Sequence, residues 1–179
     1  MSAKRLKGKP LLEINKLPII CHVINKANQT GFEVIVATED KEIFDVVEKN
    51  GGKAIITGIH KTGTDRIFEA YKKIKKKNIN YVINLQGDEP MIDPKDIINL
   101  NRLMIQNNSG IGTLASKIKE EKIFNDKNIV KVTTKNKIEE NNFVKALNFS
   151  RKTLPGDNVY HHIGVYSYKV ATLEKFINL

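Results

Sequence analysis

"VINLQGDEPMI", residues 82–92, decides how the rest of this chain is read. The apolar run "YVINL" at 81–85 reads as a buried strand. It leads straight into Gln86, Gly87, Asp88, Glu89 and Pro90. A carboxylate at the carboxyl end of a strand lies where α/β sheets bind ligands. Asp88 is thus placed to bind Mg²⁺, a hard ion that prefers oxygen ligands and keeps several waters. Gly87 permits a tight turn, and Glu89, standing before a proline, is held extended. The alternative is a loop whose acids merely cap the next turn.

Working outward, residues 18–29, "PIICHVINKANQ", read as a helix with Ile20, Val23, Ile24 and Ala27 on one face. "EVIVAT" at 33–38 is a strand, and Asp40 caps a helix over "KEIFDVVEKN" that stops at Gly51-Gly52. "KAIIT" is a second strand. Thr64 starts another amphipathic helix, with Ile67, Phe68, Tyr71 and Ile74 inward. Asp93-Pro94 is an N-cap and first-turn pair for a helix over 94–106. Strand-like "IGTLASKI", "NIVKVTT", "FVKALNF" and "HIGVYSY" follow, then a helix from about residue 171. Alternating strands and helices imply an α/β domain with a largely parallel sheet. The later strands read as a mixed or antiparallel region.

The chain has 179 residues, enough for one domain with a sizeable core. Its single cysteine, Cys21, excludes an internal disulfide and fits a reducing cytoplasm. No run of about 18 apolar residues suggests a membrane span. The formal net charge of +10 invites a nucleic-acid reading. That charge is poorly organised for such a role: it is mostly lysine on solvent-facing positions. The densest run, "KKIKKK" at 72–77, ends a helix, where cations suit the dipole. Only four arginines occur, and Arg5, Arg66 and Arg151 fall inside the motifs below. Arginine supplies a rigid, permanently charged fork that lysine does not copy.

In "KRLKGKP", Lys4, Arg5, Lys7 and Lys9 crowd around Gly8. Glycine lets backbone N–H groups approach an anion while the cations neutralise it, which suits a polyphosphate. The ending of a Walker loop is absent, and a plain basic tail is the other reading. "HKTGTDRIFEAY" at 60–71 sets small hydroxyl residues and Arg66 at a helix start, which can hold an anion or simply be a threonine cap. "HHIGVYSY" at 161–168 puts His162, Tyr166 and Tyr168 on one strand face, with His161 opposite. Such residues also commonly just pack a half-buried face. Neither zinc-like Cys/His spacing nor a serine-nucleophile elbow is found.

Together, "RLKGKPL", "VATED", "TGTDRIFEA", "VINLQGDEPMI", "ALNFSRKTLP" and "HHIGVYSY" resemble the 3-deoxy-manno-octulosonate cytidylyltransferase (CMP-Kdo synthetase) family, in that family's order and over nearly the whole chain. The resemblance implies a Rossmann-like nucleotide-diphospho-sugar transferase fold of the GT-A-like kind. Its central sheet would be mixed, mainly parallel and flanked by helices. It implies transfer of CMP from CTP to Kdo with Mg²⁺, releasing pyrophosphate, for lipopolysaccharide synthesis by a cytoplasmic homodimer. It assigns Arg5 and Lys9 to the CTP phosphates and Asp88 to the metal, with Lys9 and Asp88 as the catalytic pair. Arg66, Gln86, His162 and Tyr166 would line the Kdo side, and Arg151 is a further candidate there.

The chain also departs from that family. The family's opening strand, ending in a Pro-Ala-Arg turn, and a late segment with a second metal-binding aspartate are not found, and Lys7 stands where proline is usual. The expectation is a single nucleotidyltransferase domain over 1–179, incomplete at both ends and weak or inactive as it stands. A related sugar-nucleotide pyrophosphorylase is one alternative. A non-catalytic anion- or nucleic-acid-binding domain is a second, and a degenerate enzyme that keeps only a pairing surface is a third.

Overall fold

The computed structural model describes residues 8–76, 78–139, 142–152 and 154–177. After a 3-10 turn at Lys9–Leu11, a short hairpin, β1 (Glu13–Ile14) and β2 (Leu17–Pro18), leads into α1 (Ile19–Asn28). There follow β3 (Val36–Thr38), α2 (Lys41–Lys49), β4 (Ala54–Ile56), α3 (Gly63–Ile74), β5 (Tyr81–Asn84) and α4 (Pro94–Gln106). The remainder is β6 (Ile111–Lys117), α5 (Glu121–Asn125), β7 (Lys131–Thr134), β8 (Ala146–Ser150), β9 (Val159–Lys169) and α6 (Val170–Ile177).

Caps place the helix starts. The Asp40 carboxylate accepts from the N–H groups of Glu42 and Ile43, and Asp93 accepts from that of Lys95, with Pro94 in the first turn. The α3 start differs from expectation. Thr62 is the cap and accepts from Asp65 N–H. Thr64 therefore lies inside the first turn, with its hydroxyl free for another task. Of the residues expected to face inward on α3, all four are half-buried, and it is Ala70 that is fully buried. The short helix α5 had no periodic signal in the sequence.

The described strands pair in a mixed way, but mainly antiparallel rather than mainly parallel. Among the described residues only β3 and β4 pair in parallel, across the α2 crossover, as a sheet of their own. The larger ladder runs β5-β9-β7-β8, with β6 also on β9, and every pairing in it is antiparallel. The reason is the reach of β9. A strand–helix–strand rhythm suggests that β5 pairs with an earlier strand, yet its partner among the described residues arrives some eighty residues later and runs the opposite way. On one edge β9 carries β6 along most of its length. Its other edge is shared: β7 takes residues 159–161 and β5 takes residues 166–169. Among the described residues the intervening residues 163–165 have no ladder partner on that edge. On the β6 edge the register also shifts, between Thr113 and Leu114. The sheet therefore opens around Gly164.

Two cores flank this frame. Ile20, Cys21, Ile24 and Val47 of α1 and α2 pack with Val36 and Ala54 of the parallel pair. Ile92, Ile97, Leu100 and Met104 pack with Val165 of β9 and with Tyr81, Ile83 and Leu114. Helix α3 contacts β3, β4 and β5, so it joins the two regions. The lysines that close α3 are occupied at the surface. Lys73 reaches Glu69 and the Ile56 carbonyl, Lys76 reaches Glu33, and Lys72 reaches Glu174. Exposed pairs of this kind contribute little, about 0–1 kcal/mol each.

Met104 has no exposed surface, so Met104→Ala should cost about 2–5 kcal/mol. Urea denaturation should show a lowered midpoint with unchanged slope. Ile59→Ala, at a side chain 90% exposed, should leave the midpoint in place.

Candidate active site

The loop after β5 is pressed against α1. A Cβ on Gly87 would stand 2.9 Å from Cδ1 of Ile20, so any larger residue here would have to push the tip of that side chain aside. That close approach carries the turn before α1 to the loop. Gly8 sits there at φ 75°, in the left-handed region. Lys9 Nζ then donates to Asp88 Oδ2 at 2.8 Å, joining residues 79 positions apart. Two of the expected site residues are thus in direct contact. The hydrogen bond to Asp88 is the main cause that raises the Lys9 pKa, so Lys9 is cationic at neutral pH. Burial, and next the Asp88 charge, push the Glu89 carboxyl up. Arg5, expected beside Lys9, lies outside the described residues.

A second group forms where β9 opens. Gln86 lies two residues past the end of β5, and its Nε2 donates to the Gly164 carbonyl at 3.4 Å. A Cβ on Gly164 would come within 2.8 Å of that amide, so the glycine is the seat on which Gln86 rests. His162 and Tyr166 flank the seat, their ring centroids 5.4 Å apart, and Tyr168 stacks on Tyr166 at 6.0 Å. Phe149 meets His162 edge-on at 5.0 Å. Tyr168 Oη and Thr64 Oγ1 lie 3.3 Å apart, which docks the first turn of α3 onto this row.

Arg66 stands in the same turn of α3. Its Nη2 donates to a carboxylate oxygen of Glu39, while its Nε is buried with no partner among the described residues. A buried guanidinium N–H without an acceptor costs free energy and is a ready anion receptor. The loop that delivers this turn is pinned from behind. Glu69 accepts from Lys73 Nζ at 2.6 Å, from Gly58 N–H at 2.9 Å and from His60. Those donors, Lys73 foremost, hold its carboxyl down at about 2.

The fold and these contacts set the chain beside known proteins. Residues 1–179 match the family model described as Cytidylyltransferase. The chain belongs to the cytidylyltransferase family. It is similar to the 3-deoxy-manno-octulosonate cytidylyltransferases of Thermodesulfovibrio yellowstonii, at 42% identity over 98% of this chain and 74% of that protein, and of Bartonella henselae, at 42% over 100% and 75%. Among solved structures it matches CMP:2-keto-3-deoxy-manno-octonic acid synthetase complexed with CTP. The TM-score is 0.86 at 35% identity, covering 98% of this chain and 73% of that one.

Within this cytidylyltransferase, Gln86, His162 and Tyr166 are brought together, Lys9 and Asp88 form a pair, and Arg66 joins through α3. Arg151 does not share these contacts. Its Nη1 donates to the Asn128 carbonyl at 2.7 Å, and its own carbonyl accepts from the buried Lys131 at 3.3 Å. It braces the start of β7 from just past the end of β8, the outer strand of the ladder. Sequence reading assigned no role to Glu39, Thr113 or Phe149. Glu39 and Phe149 lie inside motifs already singled out, and Thr113 is signalled only as a hydroxyl within an apolar strand.

Burial, foremost, lowers the pKa of both His161 and His162. Lys131 adds to the effect on the former and His161 to that on the latter. Below about pH 6.5 the unfolded chain then binds protons that the folded chain refuses. Stability should be level above that pH and fall as pH drops through it. His162→Gln should flatten the slope, as read from unfolding free energies measured across this range.

Proposed function

We propose that this cytidylyltransferase transfers CMP from CTP to 3-deoxy-D-manno-octulosonate, giving CMP-Kdo and pyrophosphate for lipopolysaccharide synthesis. The observation that carries the reading is the Lys9–Asp88 pair set beside the Gln86–His162–Tyr166 cluster. It occurs in a chain that matches a CTP-complexed synthetase over nearly its whole length.

The anomeric hydroxyl of Kdo attacks the α-phosphorus of CTP. The new bond is oxygen to α-phosphorus, the bond to the pyrophosphate oxygen breaks, and the hydroxyl proton is released to solvent. Most catalysis of this kind is positioning and charge stabilisation. Lys9 and Arg5 neutralise the triphosphate and the charge that develops on departing pyrophosphate. Arg66 supplies the guanidinium that pairs with the sugar carboxylate. Gln86, His162 and Tyr166 line the sugar.

The site residues suit Mg²⁺. Asp88 is a hard oxygen donor with a partly exposed side chain, and Glu89 lies next to it. Among the described residues no set of three possible ligands converges, and Mg²⁺ commonly keeps several waters and binds through one or two carboxylates and substrate phosphates. When bound, Mg²⁺ would supply Lewis-acid polarisation of the phosphate and shielding of its charge. No helix among the described residues is long and apolar enough to cross a membrane. A cytoplasmic homodimer completes the proposal.

Pyrophosphate release should require CTP, Mg²⁺ and Kdo together. Asp88→Ala should lower kcat by about 10²–10³-fold, comparable to losing a preorganised electrostatic group. Release that persists without Kdo, or that prefers UTP, ATP or GTP, would sink the reading.

A further inference from the structure

Thr113 sits on β6 at the register shift, directly opposite Tyr166. Its Oγ1 lies 2.7 Å from the Val165 carbonyl, 3.2 Å from the Ile163 carbonyl and 2.9 Å from Nε2 of His162. A hydroxyl has one hydrogen to give, and carbonyl oxygens only accept. Were Thr113 to donate to His162, its lone pairs would face two carbonyl oxygens. The hydroxyl hydrogen therefore belongs to the carbonyls, with Val165 the nearer. His162 must then be the donor in the third contact, through Nε2–H.

That assignment reaches the other nitrogen. In a neutral imidazole one ring nitrogen carries the proton and the other accepts. With the proton on Nε2, Nδ1 is left as an acceptor, and it has no hydrogen-bond partner among the described residues. Phe149 and Tyr166 hold the ring from two directions, so rotation does not readily exchange the two nitrogens. Burial favours the neutral form.

We propose that Thr113 is a positioning residue for nucleotidyl transfer: it fixes His162 as the Nε2–H tautomer, so that Nδ1 accepts a hydrogen bond from a hydroxyl of the sugar acid. This rests on the Kdo-binding reading above. It makes His162 an acceptor for hydroxyl rather than a cation for the carboxylate, and leaves the carboxylate to Arg66. It also explains why the ladder shifts here. The shift leaves the Ile163 and Val165 carbonyls turned to one hydroxyl, which regular pairing would have satisfied with backbone N–H groups.

The test uses the whole chain, ¹⁵N-labelled at histidine. Long-range ¹H–¹⁵N spectra of the wild-type protein without substrate should place the proton on Nε2 of His162 and show it protected from exchange with water. Thr113→Val should lose that protection, and Thr113→Ser, which keeps the hydroxyl, should retain it. In turnover, Thr113→Val should raise KM for the sugar acid about tenfold, the scale of one lost hydrogen bond. KM for CTP should be unchanged, and Thr113→Ser should restore the wild-type value. A proton on Nδ1 in the wild-type spectrum would overturn the proposal, and so would a Thr113→Val enzyme with wild-type KM for the sugar acid. The spectrum needs no substrate. Silence in the turnover assay would count against the functional reading, while the position of the proton would still decide the tautomer.

Discussion

The site depends on the antiparallel pairing of one long strand. Residues 159–169 are the common partner of β5, β6 and β7. Two of those partners, β5 and β6, and β9 itself deliver side chains to the same place. β5 ends at the loop with Gln86 and Asp88. β6 supplies Thr113. β9 itself supplies His162, Tyr166 and Tyr168. A strand of this length could have paired without interruption. Instead it is bare on one edge and shifted on the other around Gly164, and both irregularities serve the side chains above them. A Cβ at Gly164 would collide with the Gln86 amide, so the opening and the seat have one origin.

The second organising contact is steric rather than hydrogen-bonded. Gly87 lies so close to Ile20 that the acid loop rests directly against a core side chain of α1. Ile20 belongs to the core of α1 and α2, whereas Gly87 extends from β5, which packs in the other core. Through this contact the Lys9–Asp88 pair reports on the docking of two halves of the molecule. Helix α3 does similar work on the other side. It packs on strands of both sheets and carries Arg66 and Thr64 towards the aromatic row.

Much of this was legible in the residues, for reasons that can be named. The helix over 94–106 was readable to the residue, because an aspartate cap and a first-turn proline are local signals. Asp88 stood out as a candidate because acids at the mouth of a buried strand are unusual, and the fold pairs it with Lys9. The parallel bias was misread, since pairing partners far apart in sequence leave no local trace. The role suggested for Arg151 failed to find support for a related reason: its partner is a backbone carbonyl at Asn128, which no side-chain motif announces. Thr113 escaped because its function lies in the direction of one hydrogen, fixed by three acceptors and donors that only the folded chain assembles.

The Lys9–Asp88 ion pair has an effect on traffic into the site. With each charge cancelled by the other, the unliganded pocket exerts little net pull at this point on either sign. On the function we propose, a triphosphate that took Lys9 alone would leave Asp88 unpaired, and a divalent cation that took Asp88 alone would leave Lys9 unpaired. A complex of the two would offer each residue a new partner at once, so the pair would favour the metal–nucleotide complex over its components.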